Sequence, residues 1–259
     1  MTFPTVADKY LDASVYPPTV FLEALLGTGW TAGVVPESIV MTYAHMELYL
    51  ATRPDLYTPN HMLGTGPGRF YLVNGTDDRV GINCLGIGAP AAVAQMELQV
   101  ELGAKRFVSI GLAGGFLPFM NPGDLILVTD AVRDEGTSFH YLEPDVRAVP
   151  HAGLNDAYGS ALDTAGLNPV WGTTLTTDAP HRTTAREIDK MREDGVLTVE
   201  MEASAIFAAG AAMGVETASA LVVDGVAGDD YAFRLDLAAA TAKLQALFAA
   251  TVSFLGDLD

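Results

Sequence analysis

The 259-residue chain is poor in the residues that would staple or anchor it. Its single cysteine, Cys84, excludes an intrachain disulfide and any zinc cluster built on cysteines, and fits a reducing compartment. Basic residues are scarce: Lys+Arg is 14 against Asp+Glu 32, for a net charge of -18, and only four of the 14 are lysines. Such a chain repels phosphate backbones and anionic lipids, so neither a nucleic-acid polymer nor a membrane surface is an expected partner. An anionic substrate would need a local cluster of donors. The first ten residues, MTFPTVADKY, carry neither a basic region nor an apolar run, so no targeting segment is expected and a cytoplasmic location is. The stretch Ala205 to Met213 reads as the most apolar and is too short to cross a bilayer. The five histidines, His45, His61, His140, His151 and His181, show no H-E-x-x-H or H-x-H spacing, so no metal site is expected. No G-x-S-x-G nucleophile elbow occurs either.

What the chain does have is apolar content, 49% hydrophobic residues, enough for a full core without staples. Residues 1–37, with Pro4, Pro17, Pro18, Gly27, Gly29, Gly33 and Pro36, read as an arm holding a short helix near Val20–Leu26. Residues 38–259 read as one α/β domain with a mixed central sheet flanked by helices. Strands are predicted at Ser38–Tyr43, Phe70–Val73, Val80–Leu85, Arg106–Ile110, Asp124–Thr129, Val170–Thr177, Leu197–Val199 and Thr217–Asp224. Several are apolar at nearly every position, as in strands buried on both faces. Helices are predicted from about Ala91 to Leu102 and at Leu154–Ala165, Ala185–Arg192, Ala203–Met213 and Leu235–Leu255. Ligands of α/β sheets bind where strands end, so the strand-terminal clusters matter most.

Gly86-Ile87-Gly88-Ala89-Pro90-Ala91 has the outline of a dinucleotide fingerprint. However, the next strand ends in Ser109–Gly111, with no acidic residue to hold a ribose. The plainer reading is a tight strand-to-helix turn. Gly111-Leu112-Ala113-Gly114-Gly115 follows a buried strand, where small residues let a ligand approach the backbone; a plain turn would use the same residues. In Val199-Glu200-Met201-Glu202-Ala203, Glu202 either opens a helix, where the dipole favours a carboxylate, or accepts hydrogen bonds from sugar hydroxyls. Asp224, after Ala220–Val223 and before Gly225, is an acid/base candidate or a turn aspartate. His181 and Arg182 can stack on or donate to a planar ligand, or simply occupy a solvated loop. Cys84 reads as core.

In this order, Gly86–Pro90, Gly111–Gly115, Pro122-Gly123-Asp124, Arg133-Asp134-Glu135-Gly136-Thr137-Ser138 and Val199–Ala203 resemble the nucleoside phosphorylase family, of the uridine-phosphorylase, hexameric purine-phosphorylase and methylthioadenosine-nucleosidase type. The resemblance spans about Ile82 to Asp224. It implies that Met201 and Glu202, with Glu200 beside them, hold the sugar. It further implies that Asp224 meets a purine base, that Gly111, Leu112, Ala113 and Gly114 lie against the substrate, and that His181 and Arg182 border the base. It implies phosphorolysis of a nucleoside to free base and sugar 1-phosphate, with phosphate as co-substrate, no other cofactor, and a homo-oligomer (dimer, trimer or hexamer). The family's G-D-P-x-R phosphate loop is replaced by Met41-Thr42-Tyr43-Ala44-His45. Ser109 stands where the family has an arginine, and Leu112 where it has Thr or Ser. Ser109, His45, Arg69 and Arg133 are the phosphate-binding candidates that remain. Hydrolysis, with Glu47 as counterpart of the nucleosidases' general base, is the runner-up. A non-catalytic nucleoside-binding protein is the third possibility.

Overall fold

The computed structural model describes residues 4–27, 33, 35–60 and 69–258, with the side chains of Leu25 and Arg69 outside that description. Gly29 and His61 also lie outside the described residues. In chain order the strands are β1 (Ser38–Tyr43), β2 (Tyr57–Pro59), β3 (Arg69–Val73), β4 (Val80–Leu85), β5 (Arg106–Gly115), β6 (Leu125–Asp134), β7 (Val170–Thr177), β8 (Thr198–Glu200), β9 (Glu216–Ala227) and β10 (Phe233–Leu235). The helices are α1 (Pro18–Leu26), α2 (Glu47–Ala51), α3 (Ala89–Glu101), α4 (Ala152–Thr164), α5 (Ala185–Glu193), α6 (Ala203–Met213) and α7 (Leu237–Gly256).

Among the described residues the strands form one mixed sheet, in the order β10-β9-β6-β7-β8-β5-β1-β4-β3-β2. β9 pairs with β5 as well as with β6, so β5, β9, β6, β7 and β8 close a ring of pairings from which β1-β4-β3-β2 extends. The expectation of an α/β fold with a mixed central sheet is met. The region read as an arm contributes to the core through α1, whose Leu22 is buried.

Alternation along the strands sorts side chains between two cores. Ile39, Met41 and Tyr43 of β1, Phe107 of β5 and Leu221 and Val223 of β9 join Ile206 and Phe207 of α6 on one side. Val40, Val108, Ile110, Ala220 and Val222 join Leu244, Leu247 and Phe248 of α7 on the other. This period of two, read on strands buried on both faces, explains the unbroken apolar runs.

Two expectations need correction. The glycine-rich segment 111–115 is not a loop: β5 runs through Gly115, pairing with β9 and β8. β9 does not end at Asp224 but continues to Ala227. The apolar stretch Ala205 to Met213 is too short to span a bilayer, as expected; among the described residues α7, 20 residues long, is the helix long and apolar enough to do so. Leu244, Leu247, Phe248 and Leu255 instead place α7 on the sheet as a core helix.

Phe248 binds several elements at once, meeting the rings of Tyr49 and Tyr57 edge-on at 5.8 and 5.6 Å. Phe248→Ala is therefore expected to lower the unfolding free energy by about 3–5 kcal/mol. Urea denaturation followed by circular dichroism measures it; a loss below 1 kcal/mol would mean that α7 is not fastened through this residue.

Candidate active site

The ends of β1, β5, β8 and β9 surround a cavity of about 650 Å³. Its walls are mainly apolar, with Leu112, Phe116, Ile188, Val199 and Phe233 among them. Glu200, Met201, Glu202, Asp224, His45 and His181 also face it.

Glu202 is the N-cap residue of α6, yet its side chain does not cap that helix. It reaches across to the turn after β4 and accepts from the Gly88 N–H at 2.5 Å. Gly88 has φ +111°, a backbone conformation that L side chains rarely adopt. The strand-to-helix turn of 86–91 thus supports a carboxylate through the Gly88 amide. Glu200, 6% exposed, has both oxygens engaged. One accepts from Thr176 Oγ1 at 2.5 Å and the other from the Glu202 and Ala203 N–H groups at 2.7 Å each. Behind them Glu135, also buried, accepts from the Thr137 and Ser138 N–H groups and from Ser204 Oγ at 2.9 Å. Burial first, and then the charge of Glu200, pushes the Glu202 carboxyl well above the usual carboxylate range. Burial pushes Glu200 up too, opposed by its three donors.

Asp224 owes its position to an irregularity. On β5, Ala113 pairs with Val223 and the next residue, Gly114, pairs with Gly225. Asp224 is therefore the extra residue of a bulge, a device that re-aims side chains. Burial raises its pKa, while the N–H groups of Asp224 and Gly225 oppose the shift. Tyr43, which the sequence did not single out, lines the cavity and shares a hydroxyl pair with Ser109 at 2.8 Å. Gly111 makes room for it: a Cβ there would stand 3.0 Å from the Tyr43 ring. Arg192, also unforeseen, braces the wall by donating to the Phe116 and Ala227 carbonyls at 2.8 and 2.9 Å. In the sequence it was one more polar residue of a helix.

Of the sequence candidates, Glu200, Met201, Glu202, Asp224, Leu112, Ala113, Gly114, His45 and His181 meet at this cavity. Gly111 lies behind Tyr43, Ser109 is buried against it, and Arg182 is exposed and outside the lining. Arg133 stands apart and is already occupied. Its guanidinium lies over the Phe139 ring and donates to Ser138 Oγ and to the Leu142, Glu143 and Val146 carbonyls. The Arg69 side chain lies outside the described residues. Glu47 opens α2 and is not part of the lining. His45 is open to the cavity, and the protein around it holds its pKa below the ordinary imidazole value. Among the described residues the lining contains no lysine or arginine.

The family model for the phosphorylase superfamily matches residues 43–255. A guanosine phosphorylase of Halorubrum lacusprofundi is 31% identical over 159 residues, covering 60% of this chain and 65% of that protein. The match thus spans just under two thirds of that relative's length. A uridine phosphorylase of Treponema pallidum is 28% identical over 180 residues, covering 64% of this chain and 70% of that one. In three dimensions the chain superimposes on a purine nucleoside phosphorylase from Toxoplasma gondii, solved with immucillin-H, with a TM-score of 0.73 at 20% identity. That superposition covers 86% of this chain and 90% of the other.

The buried acid pair has a consequence for stability. Because the folded state raises the Glu202 pKa, it binds more protons than the unfolded chain from the ordinary glutamate range upward to that raised value. Stability is therefore lost as pH rises through this interval. Glu202→Gln removes the effect. The variant should melt above the wild type on the neutral to alkaline side, with the gap closing in acid. Melting temperature against pH tests this; a gap independent of pH would exclude like-charge repulsion as its cause.

Proposed function

Because the chain belongs to the phosphorylase superfamily, we propose that it cleaves the N-glycosidic bond of a purine nucleoside, releasing the free base and passing the sugar to phosphate as sugar 1-phosphate. The observation that carries this reading is that Glu202 and Asp224 face a single cavity. As the bond between the anomeric carbon and the base nitrogen breaks, positive charge develops on the sugar ring. Glu202, accepting from sugar hydroxyls, stabilises that charge, and its effect grows as water is excluded. Asp224 donates a proton to the departing base. Burial raises its pKa, the direction a proton donor needs, and such a donor contributes on the order of 10²–10⁴-fold. Phosphate attacks the anomeric carbon from the face opposite the base. The names of the relatives support phosphate as the acceptor. The setting this reading assumes is a cytoplasmic homo-oligomer with no cofactor beyond phosphate.

One observation favours a second acceptor. With no lysine or arginine among the described lining residues, and with carboxylates beside the sugar, the cavity suits neutral water better than a phosphate dianion. Hydrolysis to free sugar is the second reading.

Incubating purine and pyrimidine nucleosides with and without phosphate, and identifying the sugar released, separates the two. Sugar 1-phosphate supports the first reading, free sugar irrespective of phosphate supports the second, and intact nucleoside refutes both. Asp224→Asn is expected to lower turnover of purine nucleosides by about 10²–10⁴-fold with binding largely retained. Unchanged turnover would remove Asp224 from the mechanism.

A further inference from the structure

Glu200 lines the cavity, and its place beside Met201 and Glu202 suggests a contact with the sugar. Its hydrogen bonds point elsewhere. Both oxygens are taken by protein donors at 2.5–2.7 Å: a hydroxyl from β7 and two amides at the head of α6. Thr176, the donor from β7, also accepts from the Ser204 N–H at 2.9 Å. Ser204 in turn donates to Glu135 at 2.9 Å. The first amides of α6 are therefore satisfied internally and are not left for a bound anion. Glu202, in contrast, is held by the Gly88 amide, and a carboxylate has about four acceptor positions to offer. We propose that Glu200 is a positioning residue: it fixes the 200–204 turn and supplies the negative charge beside Glu202, and it makes no contact with the nucleoside.

This inference rests on Glu202 being the carboxylate that takes the sugar hydroxyls. Two effects then belong to Glu200. Its hydrogen bonds hold the Glu202 backbone, so that the carboxylate meets the sugar in one geometry. Its charge sets the pH at which Glu202 ionises. Glu200 acts from β8, with Glu135 behind it. The other titratable groups facing the cavity are Tyr43 on β1, His45 just after it, His181, Asp224 on β9 and Tyr231. Of these, Tyr43 also feels the Glu200 charge: burial, with Glu202 and Glu200, holds its hydroxyl protonated.

Two substitutions separate geometry from charge. Glu200→Ala releases the turn and should lower kcat by about 10²-fold, the scale of a small misplacement of a reacting group. Glu200→Gln can still accept from both amides and bond Thr176. It should restore most of kcat, with KM near the wild-type value. Because the like charge is gone, the acid limb of kcat/KM should move to lower pH. The inference is overturned if Gln is as damaging as Ala, if KM rises while kcat is kept, or if the acid limb stays in place. If Glu200→Ala does not fold, Thr176→Val removes one of the bonds and should give a smaller loss of kcat with the limb unmoved. Failure of the proposed activity would be separate and visible: the wild type would release no base. Titration of the Glu202 carboxyl by carbon-detected NMR, comparing wild type with Glu200→Gln, decides the matter even then. A fall in its pKa supports the inference and an unchanged value ends it.

Discussion

Two carboxylates two residues apart, both buried, set the terms for this site. Glu200 and Glu202 sit where water is largely absent and where each penalises the charge of the other. A buried charge is tolerated only when donors surround it. Those donors come from distant parts of the chain: Thr176 on β7, Gly88 after β4, and the first amides of α6. The acid pair therefore binds together three elements, and any movement of one displaces a carboxylate. The positive end of α6 contributes in the same sense.

The opposite wall follows from a different constraint. β5 and β9 run parallel for most of their length, and a single extra residue relieves their register near the cavity. That residue is Asp224. Without the bulge, strict alternation would aim its side chain at the α7 core, where Ala220 and Val222 lie. The ring of pairings from β5 to β9 then brings the head of α6 and the bulge to one opening. The apolar wall between them lowers the local dielectric, which strengthens each polar contact a ligand makes there.

Much of the fold was legible in the chain. The apolar runs located most of the larger strands because a strand buried on both faces leaves little room for polar residues. β1 and β4 were read with the bounds that the structure has, as was α6 among the helices. The short edge strands β2 and β10 were not legible, since at most one residue of each is buried and neither shows an apolar run. Glycine misled the reading of residues 111–115. There it marks close approach within a strand, with Tyr43 packed on Gly111, and not a loop. Arg133 looked available as an anion donor because the carbonyls that occupy it lie 9 to 13 residues further on, in a segment with no regular pattern.

The sequence alone determined the α/β class, the strands whose ends form the cavity and the acids that line it, because burial and chemistry are written in residue type and spacing. It could not decide which of two neighbouring glutamates keeps an acceptor for a ligand, nor on which side of β9 Asp224 emerges. Those depend on Thr176, Gly88 and the register of β5, partners far away along the chain. Only folding brings such groups within the 3 Å or so over which a hydrogen bond acts.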